Sequence, residues 1–244
     1  MKILKFARIA GLVLGITMYL LSSANASSTV KVAILDSGCN ISYKEGISLI
    51  DSTVKDSNGH GTLMARIIKE VYPEAELYII KVIGNDGLLI NEEAVILGLE
   101  WAVSRGVDVI NMSLRVKDSE RIHRIIEKAY QRGIVMVAAA GNKNTRLGAL
   151  TTKGAIDLTE VAYPARYDEV IAVGALDRYG KAYPGSIKGE KVEILCRGYK
   201  GKQAGTSVAS AYAAGFATKI ISENPNSSLE KVREVMHLHQ KPTN

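Results

Sequence analysis

Four short motifs carry side chains that together could cut an acyl bond. In chain order they are Ala33-Ile34-Leu35-Asp36-Ser37-Gly38, Asn58-Gly59-His60-Gly61-Thr62, Ala138-Ala139-Ala140-Gly141-Asn142 and Gly205-Thr206-Ser207-Val208-Ala209. A serine hydroxyl is a poor nucleophile until a base takes its proton during attack. His60 is the credible base, since His123 falls in a helical pattern and His237 and His239 lie near the C-terminal end. A carboxylate must hold the imidazole tautomer and stabilise the imidazolium, and Asp36, at the end of an apolar run, fits that role. Ser207 opens a helical segment carrying Tyr212, Phe216 and Ile220, so its hydroxyl and backbone N–H meet a positive helix end. Asn142 can donate its side-chain amide to a developing oxyanion. Each string alone is weak, whereas the four in order, each at a strand end or a helix start, form a coherent site.

The elements that must position these groups alternate along the chain. Val30–Leu35, Leu77–Ile83, Val107–Met112, Ile134–Ala139, Glu169–Val173 and Val192–Leu195 are short, nearly continuous apolar runs rich in Val and Ile. That composition predicts strands covered on both faces. Between them lie amphipathic patterns. Leu63, Met64, Ile67, Ile68 and Val71 form one apolar face after His60. Asn91 caps a segment carrying Ala94, Leu97, Trp101 and Ala102, and Ser119 caps one carrying Ile122, Ile125, Ile126 and Ala129. Ser227 with Glu230 predicts a capping box for the last helix. Strand alternating with helix predicts an α/β fold, a mainly parallel sheet with helices on both faces. Ligands of such sheets gather beyond the carboxyl ends of the strands, where Asp36, Ser113 and Asn142 fall.

Composition excludes several alternatives. With 47% hydrophobic and 23% charged residues, the 244-residue chain is an ordinary globular protein rather than a disordered one. Residues 1–26 read as a signal peptide: Lys2, Lys5 and Arg8, then an apolar run from Ile9 to Leu21, then Ala24-Asn25-Ala26 as a cleavage site. An uncleaved membrane anchor over residues 9–21 is the competing reading, although 13 apolar residues are short for a span. The mature domain is then 27–244, secreted or extracytoplasmic. Its net charge drops from +6 to +3, with 28 basic against 25 acidic side chains. No basic stripe with interleaved aromatics predicts nucleic-acid binding. No metal spacing joins the four histidines to Cys39 and Cys196, so no metal or cofactor is expected, and the two cysteines are expected as free, packed thiols.

These motifs resemble the subtilisin-type serine peptidases, the subtilase family. The resemblance runs from about Val30 to His237. It includes Val109-Ile110-Asn111-Met112-Ser113-Leu114, Tyr163-Pro164-Ala165 and Val170-Ile171-Ala172-Val173-Gly174-Ala175. It implies a three-layer subtilisin-like fold and endopeptidase chemistry on peptide or protein substrates, with Asp36, His60 and Ser207 as triad and Asn142 in the oxyanion hole. It also implies that Ser113, Leu114 and Arg115 pair with the extended substrate as an added strand. Ala139, Ala140, Gly141 and Ala162 would line the pocket for the residue before the cut. Alpha/beta-hydrolases fit worse: they run Ser, Asp, His and carry G-x-S-x-G, whereas Ser207 comes last and Ala209 replaces the second Gly. A His60–Asp108–Ser207 order would mimic chymotrypsin, whose fold is all β.

The chain also departs from the family pattern. Members are usually made with a long folding propeptide, and the first core strand here begins a few residues after Ala26. The segment from Gly61 to Leu77 is short, so the loop that builds the tight calcium site is expected to be missing. Arg115 stands where a Gly is usual after Ser-Leu, and Ala211 replaces the usual Pro four residues after the nucleophile. Lys143, Arg146 and Lys153 make the following loop basic; Lys143 and Arg146 read most simply as solvated loop charges, and the alternative is that with Arg115 they favour acidic substrates. Two function classes follow: a secreted serine endopeptidase, including a dedicated processing protease such as one trimming a bacteriocin or lanthipeptide leader, or a catalytically inactive subtilase-like domain that binds peptides.

Overall fold

The computed structural model describes residues 29–84, 91–143 and 159–239. Residues 1–26, together with Arg146 and Lys153, lie outside these. Seven strands form one parallel sheet: β1 (Lys31–Asp36), β2 (Glu45–Ser48), β3 (Glu76–Lys81), β4 (Val109–Met112), β5 (Val135–Ala139), β6 (Val170–Leu176) and β7 (Ile194–Arg197). Their spatial order is β2-β3-β1-β4-β5-β6-β7. A short hairpin, β8 (Tyr199–Lys200) with β9 (Gln203–Ala204), is antiparallel. The helices are α1 (His60–Val71), α2 (Glu92–Ser104), α3 (Glu120–Gln131), α4 (Thr206–Glu223) and α5 (Leu229–Leu238).

Side-chain alternation along each strand feeds two cores. In β1, Ala33 and Leu35 join the apolar layer under α2 and α3. Val32 and Ile34 join the layer under α1, α4 and α5. Burial on both faces is why these strands are continuous apolar runs rather than alternating ones. The chain builds outward from β1 to β2 and β3 on one side, then crosses to β4 on the other. The β1–β4 junction is therefore the topological switch point, where crevices open beyond the strand ends. Asp36 ends β1 and Ser113 follows β4 at that junction.

Helix α4 lies across β4, β5, β6 and β7 and packs beside α1. Its buried face is built from small residues, Ala209, Ala213, Ala214, Gly215 and Ala217, which lets a helix sit close to its neighbours. A Cβ on Gly215 would come within 2.7 Å of the Val71 Cβ. This close approach brings the N-termini of α1 and α4, with His60 and Ser207, to the same end of the layer.

The sequence expectations held for all six apolar strands and for the Asn91 and Ser119 caps, whose side chains accept from Glu93 N and Ile122 N. Strand boundaries shift by no more than three residues, and the ends at Met112 and Ala139 are unchanged. Three details differ. The last helix is capped by Ser228, which accepts from Lys231 N, whereas Ser227 donates to Asn224 O. Leu97 faces solvent rather than the core. The edge strand β2 and the β8–β9 hairpin had no apolar pattern to announce them.

The α1–α4 contact makes a direct prediction. Gly215→Ala forces the two helices apart and costs about 1–3 kcal/mol, as overpacking does. Val71→Ala removes the opposing methyls, so the double variant should lose less than the sum of the singles in chemical denaturation. Strict additivity would show that the two residues do not oppose each other.

Candidate active site

The site starts from a buried carboxylate. Asp36 is 0% exposed, and its Oδ1 accepts from the Ser37 backbone N–H at 2.7 Å. The His60 Nδ1 lies 2.8 Å from Asp36 Oδ1 and 3.0 Å from Oδ2. With the proton of the neutral ring on Nδ1, facing the carboxylate, Nε2 is left as the basic nitrogen. The His60 side chain is 34% exposed. Enclosure of the ring opposes protonation, but the Asp36 charge, its hydrogen bond and the Asp56 charge outweigh it and raise the pKa above the ordinary 6.5. Gly61 makes this pairing possible. A Cβ there would overlap the Gly38 carbonyl oxygen and press on the Asp36 Cβ at 3.1 Å.

A second carboxylate, not singled out by sequence, organises the surrounding loops. Asp56 is 3% exposed. Its Oδ1 accepts from Ser37 Oγ at 2.9 Å, Gly59 N at 2.8 Å and Asn58 N at 3.1 Å. Its Oδ2 accepts from Thr62 N at 2.8 Å and Thr62 Oγ1 at 2.6 Å. Ser37 Oγ in turn accepts from Gly61 N at 3.0 Å, and Asn40 clasps the Asp56 backbone on both sides. Burial pushes the Asp56 pKa up, but these bonds outweigh it and hold the carboxyl below its usual range. Asp56 thus ties the loop after Asp36 to the first turn of α1, which carries His60.

Ser207 stands in the first turn of α4, braced against β4 by a buried chain of hydrogen bonds. Ser210 Oγ donates to Asn111 Oδ1 at 2.8 Å, and Asn111 Nδ2 donates to Ser113 Oγ at 3.1 Å. Ser113 Oγ donates to the Ser207 carbonyl at 3.0 Å, while Ser207 Oγ donates to the Ser113 carbonyl at 3.3 Å. Asn142 sets the helix start. Its Oδ1 accepts from Thr206 N at 3.0 Å, and Thr206 Oγ1 accepts from Gly141 N at 3.1 Å. With its oxygen engaged, Asn142 presents its Nδ2 amide as donor beside the α4 terminus, whose first N–H groups have no intrahelical partner.

The sequence-predicted pocket residues converge as well. Ala162 N donates to Ala140 O at 2.9 Å, and Ile187 N to Gly141 O at 2.9 Å. Ala139, Ala140 and Ala162 are buried, as are Ser113 and Leu114. Arg115 reaches across to Gly141, where a Cβ would overlap its Nη2. Lys143 points to solvent, its backbone pinned to Gly185 O at 2.8 Å. Cys39 and Cys196 are free thiols, and burial pushes the Cys196 thiol up to about 12. Helix α1 ends at Val71 and β3 begins at Glu76, a short link at the predicted place. Among the described residues, one group of possible metal ligands converges: His123, Glu127 and Glu169, with ligand atoms within 4.8 Å of one another. Spacing could not reveal it, because Glu169 arrives from the start of β6. His123 there is stacked on Tyr167 and lies 3.1 Å from Glu169.

The fold is a three-layer α/β domain that carries these groups at its switch point. The chain belongs to the subtilase family, whose model matches residues 27–240. It is 36% identical to subtilisin DY of Bacillus licheniformis over 84% of this chain and 81% of that protein. It is 33% identical to subtilisin E of Bacillus subtilis (strain 168) over 87% of this chain, but spans only 61% of that protein. A cold adapted subtilisin-like serine proteinase has the same fold, with a TM-score of 0.68 and 24% identity over 87% of this chain and 82% of that one. The protein is a serine-type endopeptidase. Among the described residues no helix is long and apolar enough to cross a membrane.

Asp56→Asn places an N–H₂ against one of the two oxygen positions. It should cost about 1–3 kcal/mol, the penalty for leaving a buried donor such as Thr62 N unanswered. The depressed carboxyl stabilises the fold above its ordinary pKa of about 3.9, and that contribution is lost as pH falls through the lower folded value. The wild-type advantage should therefore be flat near neutrality and shrink below about pH 4. The His60 ring, followed by NMR, should titrate at lower pH in the variant because one of the charges raising its pKa is gone. An unchanged titration would remove Asp56 from the electrostatics of the ring.

Proposed function

We propose that the endopeptidase works through Asp36, His60 and Ser207 with Asn142 as oxyanion donor. The observation that carries this reading is the His60 Nδ1 contact to a fully buried Asp36, made at the paired N-termini of α1 and α4. In the proposed reaction, Ser207 Oγ gives up its bond to the Ser113 carbonyl and attacks the substrate carbonyl carbon. Its proton passes to His60 Nε2, and the imidazolium then protonates the leaving amine as the peptide C–N bond breaks. Asn142 Nδ2 and the N–H groups at the start of α4 receive the oxyanion. Water, deprotonated by His60, hydrolyses the acyl-enzyme and restores the serine. Ser113, Leu114 and Arg115 hold the substrate backbone, and Ala139, Ala140, Gly141 and Ala162 surround the side chain before the cut.

We further propose that residues 1–26 direct export and are removed after Ala26, and that the enzyme has a dedicated processing role. The processing role is supported by the Arg115 cation beside the pocket, which narrows the range of acceptable side chains. Sequencing the secreted protein should begin at Ser27; a full-length chain held in the membrane fraction would favour the anchor.

A second reading, a catalytically inactive peptide-binding domain, draws on the Ser207 hydroxyl, which bonds to the Ser113 carbonyl. A fluorophosphonate, which reacts only with an activated serine, separates the two. Wild type should be labelled at Ser207 and cleave peptides. Ser207→Ala should stay folded, escape labelling and lose about 10⁴- to 10⁶-fold in turnover, the range known for subtilisin. Because His60 must be neutral to accept the proton, activity should rise with pH through a midpoint above the ordinary 6.5. Activity surviving in Ser207→Ala would overturn the triad assignment.

A further inference from the structure

We propose that His123, Glu127 and Glu169 form a zinc site that staples helix α3 to the start of β6. The site lies outside the peptidase machinery and does not depend on how Ser207 acts. His123 and Glu127 stand four residues apart on α3, so their side chains leave the same face of the helix. Glu169 comes from a different part of the chain, in the turn just before β6. One ligand atom from each of the three lies within 4.8 Å of the other two. His123 Nε2 is 3.1 Å from Glu169 Oε2. Two ligands on a tetrahedral zinc are about 3.4 Å apart, given bonds of about 2.0–2.2 Å. His123 and Glu169 are close to that spacing already. Glu127, exposed on its helix, can close the rest by a change of rotamer.

The imidazole is held in a fixed pose. Its ring stacks on Tyr167, with centroids 4.2 Å apart and planes 8° from parallel. Tyr167 is buried. Its hydroxyl accepts from Ser119 N at 3.1 Å and lies 3.1 Å from Asp118 Oδ1 and Ser119 O. Ser119 caps α3, so the phenol ties the start of that helix to the turn. Val170 N donates to Tyr167 O at 3.1 Å and closes the turn that carries Glu169. One buried residue therefore orients both the ring and the carboxylate, as the outer groups around a metal do for its ligands. Charge and ligand type choose the ion. Two carboxylates within 4.8 Å repel each other, and a divalent cation between them turns repulsion into attraction. The cations beside Asp168, Lys191 and Arg233, bond to Asp168 and Glu193. An imidazole with two carboxylates suits zinc, with water in the fourth position, whereas calcium takes about six to eight oxygens. Glu169 stands at the amino end of the parallel sheet, while Asp36 and Ser113 stand at its carboxyl end. The ion is therefore structural and remote from the triad.

Zinc chloride added to the chelator-treated protein, followed by calorimetry and thermal melts, tests the site. Wild type should bind one zinc per chain, and Tm should rise by about 5–10 °C once free zinc is about 100 times its Kd. Glu127→Gln changes an exposed side chain, and His123→Phe keeps a ring on Tyr167 while deleting the ligand nitrogen. Both should melt near wild type without zinc, bind zinc about 100-fold more weakly and lose the zinc-dependent rise. The wild-type His123 Nε2 resonance should shift on adding zinc, which decides the matter beside Glu127→Gln if His123→Phe does not fold. Peptide cleavage should be unchanged at one equivalent of zinc. Zinc that binds both variants as tightly as wild type, or that inhibits cleavage at one equivalent, sits elsewhere, at His60 or at His237 and His239, and overturns the inference. A Tm that zinc leaves unmoved, or that calcium raises as far, overturns it too.

Discussion

A carboxylate buried at the centre of a sheet must be answered by charge or hydrogen bonds, and the architecture around Asp36 is organised by that requirement. Isolated in an apolar interior, an ionised carboxyl would cost several kcal/mol and would protonate instead. Here the Ser37 backbone N–H and the His60 ring answer it. The His60 contact requires α1 to start hard against the β1 loop, which a glycine at position 61 permits. The same pairing raises the affinity of the ring for a proton, so the contact that stabilises the fold also sets the basicity of the site.

Asp56 solves a related problem at one remove. Five donors converge on one buried carboxylate, and they come from the loop after Asp36, from the turn before His60 and from the first turn of α1. A network so fully satisfied is rigid, because moving any one member strands another. Position of the imidazole is thus fixed through its backbone as well as through its ring. On the other side, Asn111, Ser113 and Ser210 play the same part for Ser207, coupling α4 to β4 through buried side chains. Buried hydrogen bonds brace both halves of the candidate site, which suits chemistry that depends on fractions of an ångström.

Small residues do the remaining work. The alanine- and glycine-rich face of α4 lets it lie close against α1, and the run Ala139-Ala140-Gly141 at the end of β5 keeps side-chain bulk low beside Asn142. Into that lining of small side chains Arg115 brings a guanidinium. A large charged group in a space shaped by alanines is a departure from local packing logic, and such departures concentrate where function is specified.

The sequence by itself determined the layers and the chemistry. Continuous Val and Ile runs announce strands buried on both faces, and helical periodicity between them leaves a parallel sheet as the consistent outcome. Asp36, His60, Asn142 and Ser207 were legible because each sits where an element begins or ends, a place that periodicity locates. What remained hidden depends on distance along the chain. Lys55-Asp56-Ser57-Asn58-Gly59 has the composition of a solvated turn, and only the approach of Ser37 and Thr62 makes Asp56 a buried hub. Strand β2, Glu45-Gly46-Ile47-Ser48, is defined by pairing to β3 rather than by its own residues. Arg115 read as one of several cations near the groove. The tertiary structure alone decided that its guanidinium turns inward onto Gly141 while Lys143 faces water. Side-chain direction at a strand end follows from what the neighbouring segments leave open, and those neighbours, residues 141, 162 and 187, are brought together by the sheet and not by the sequence.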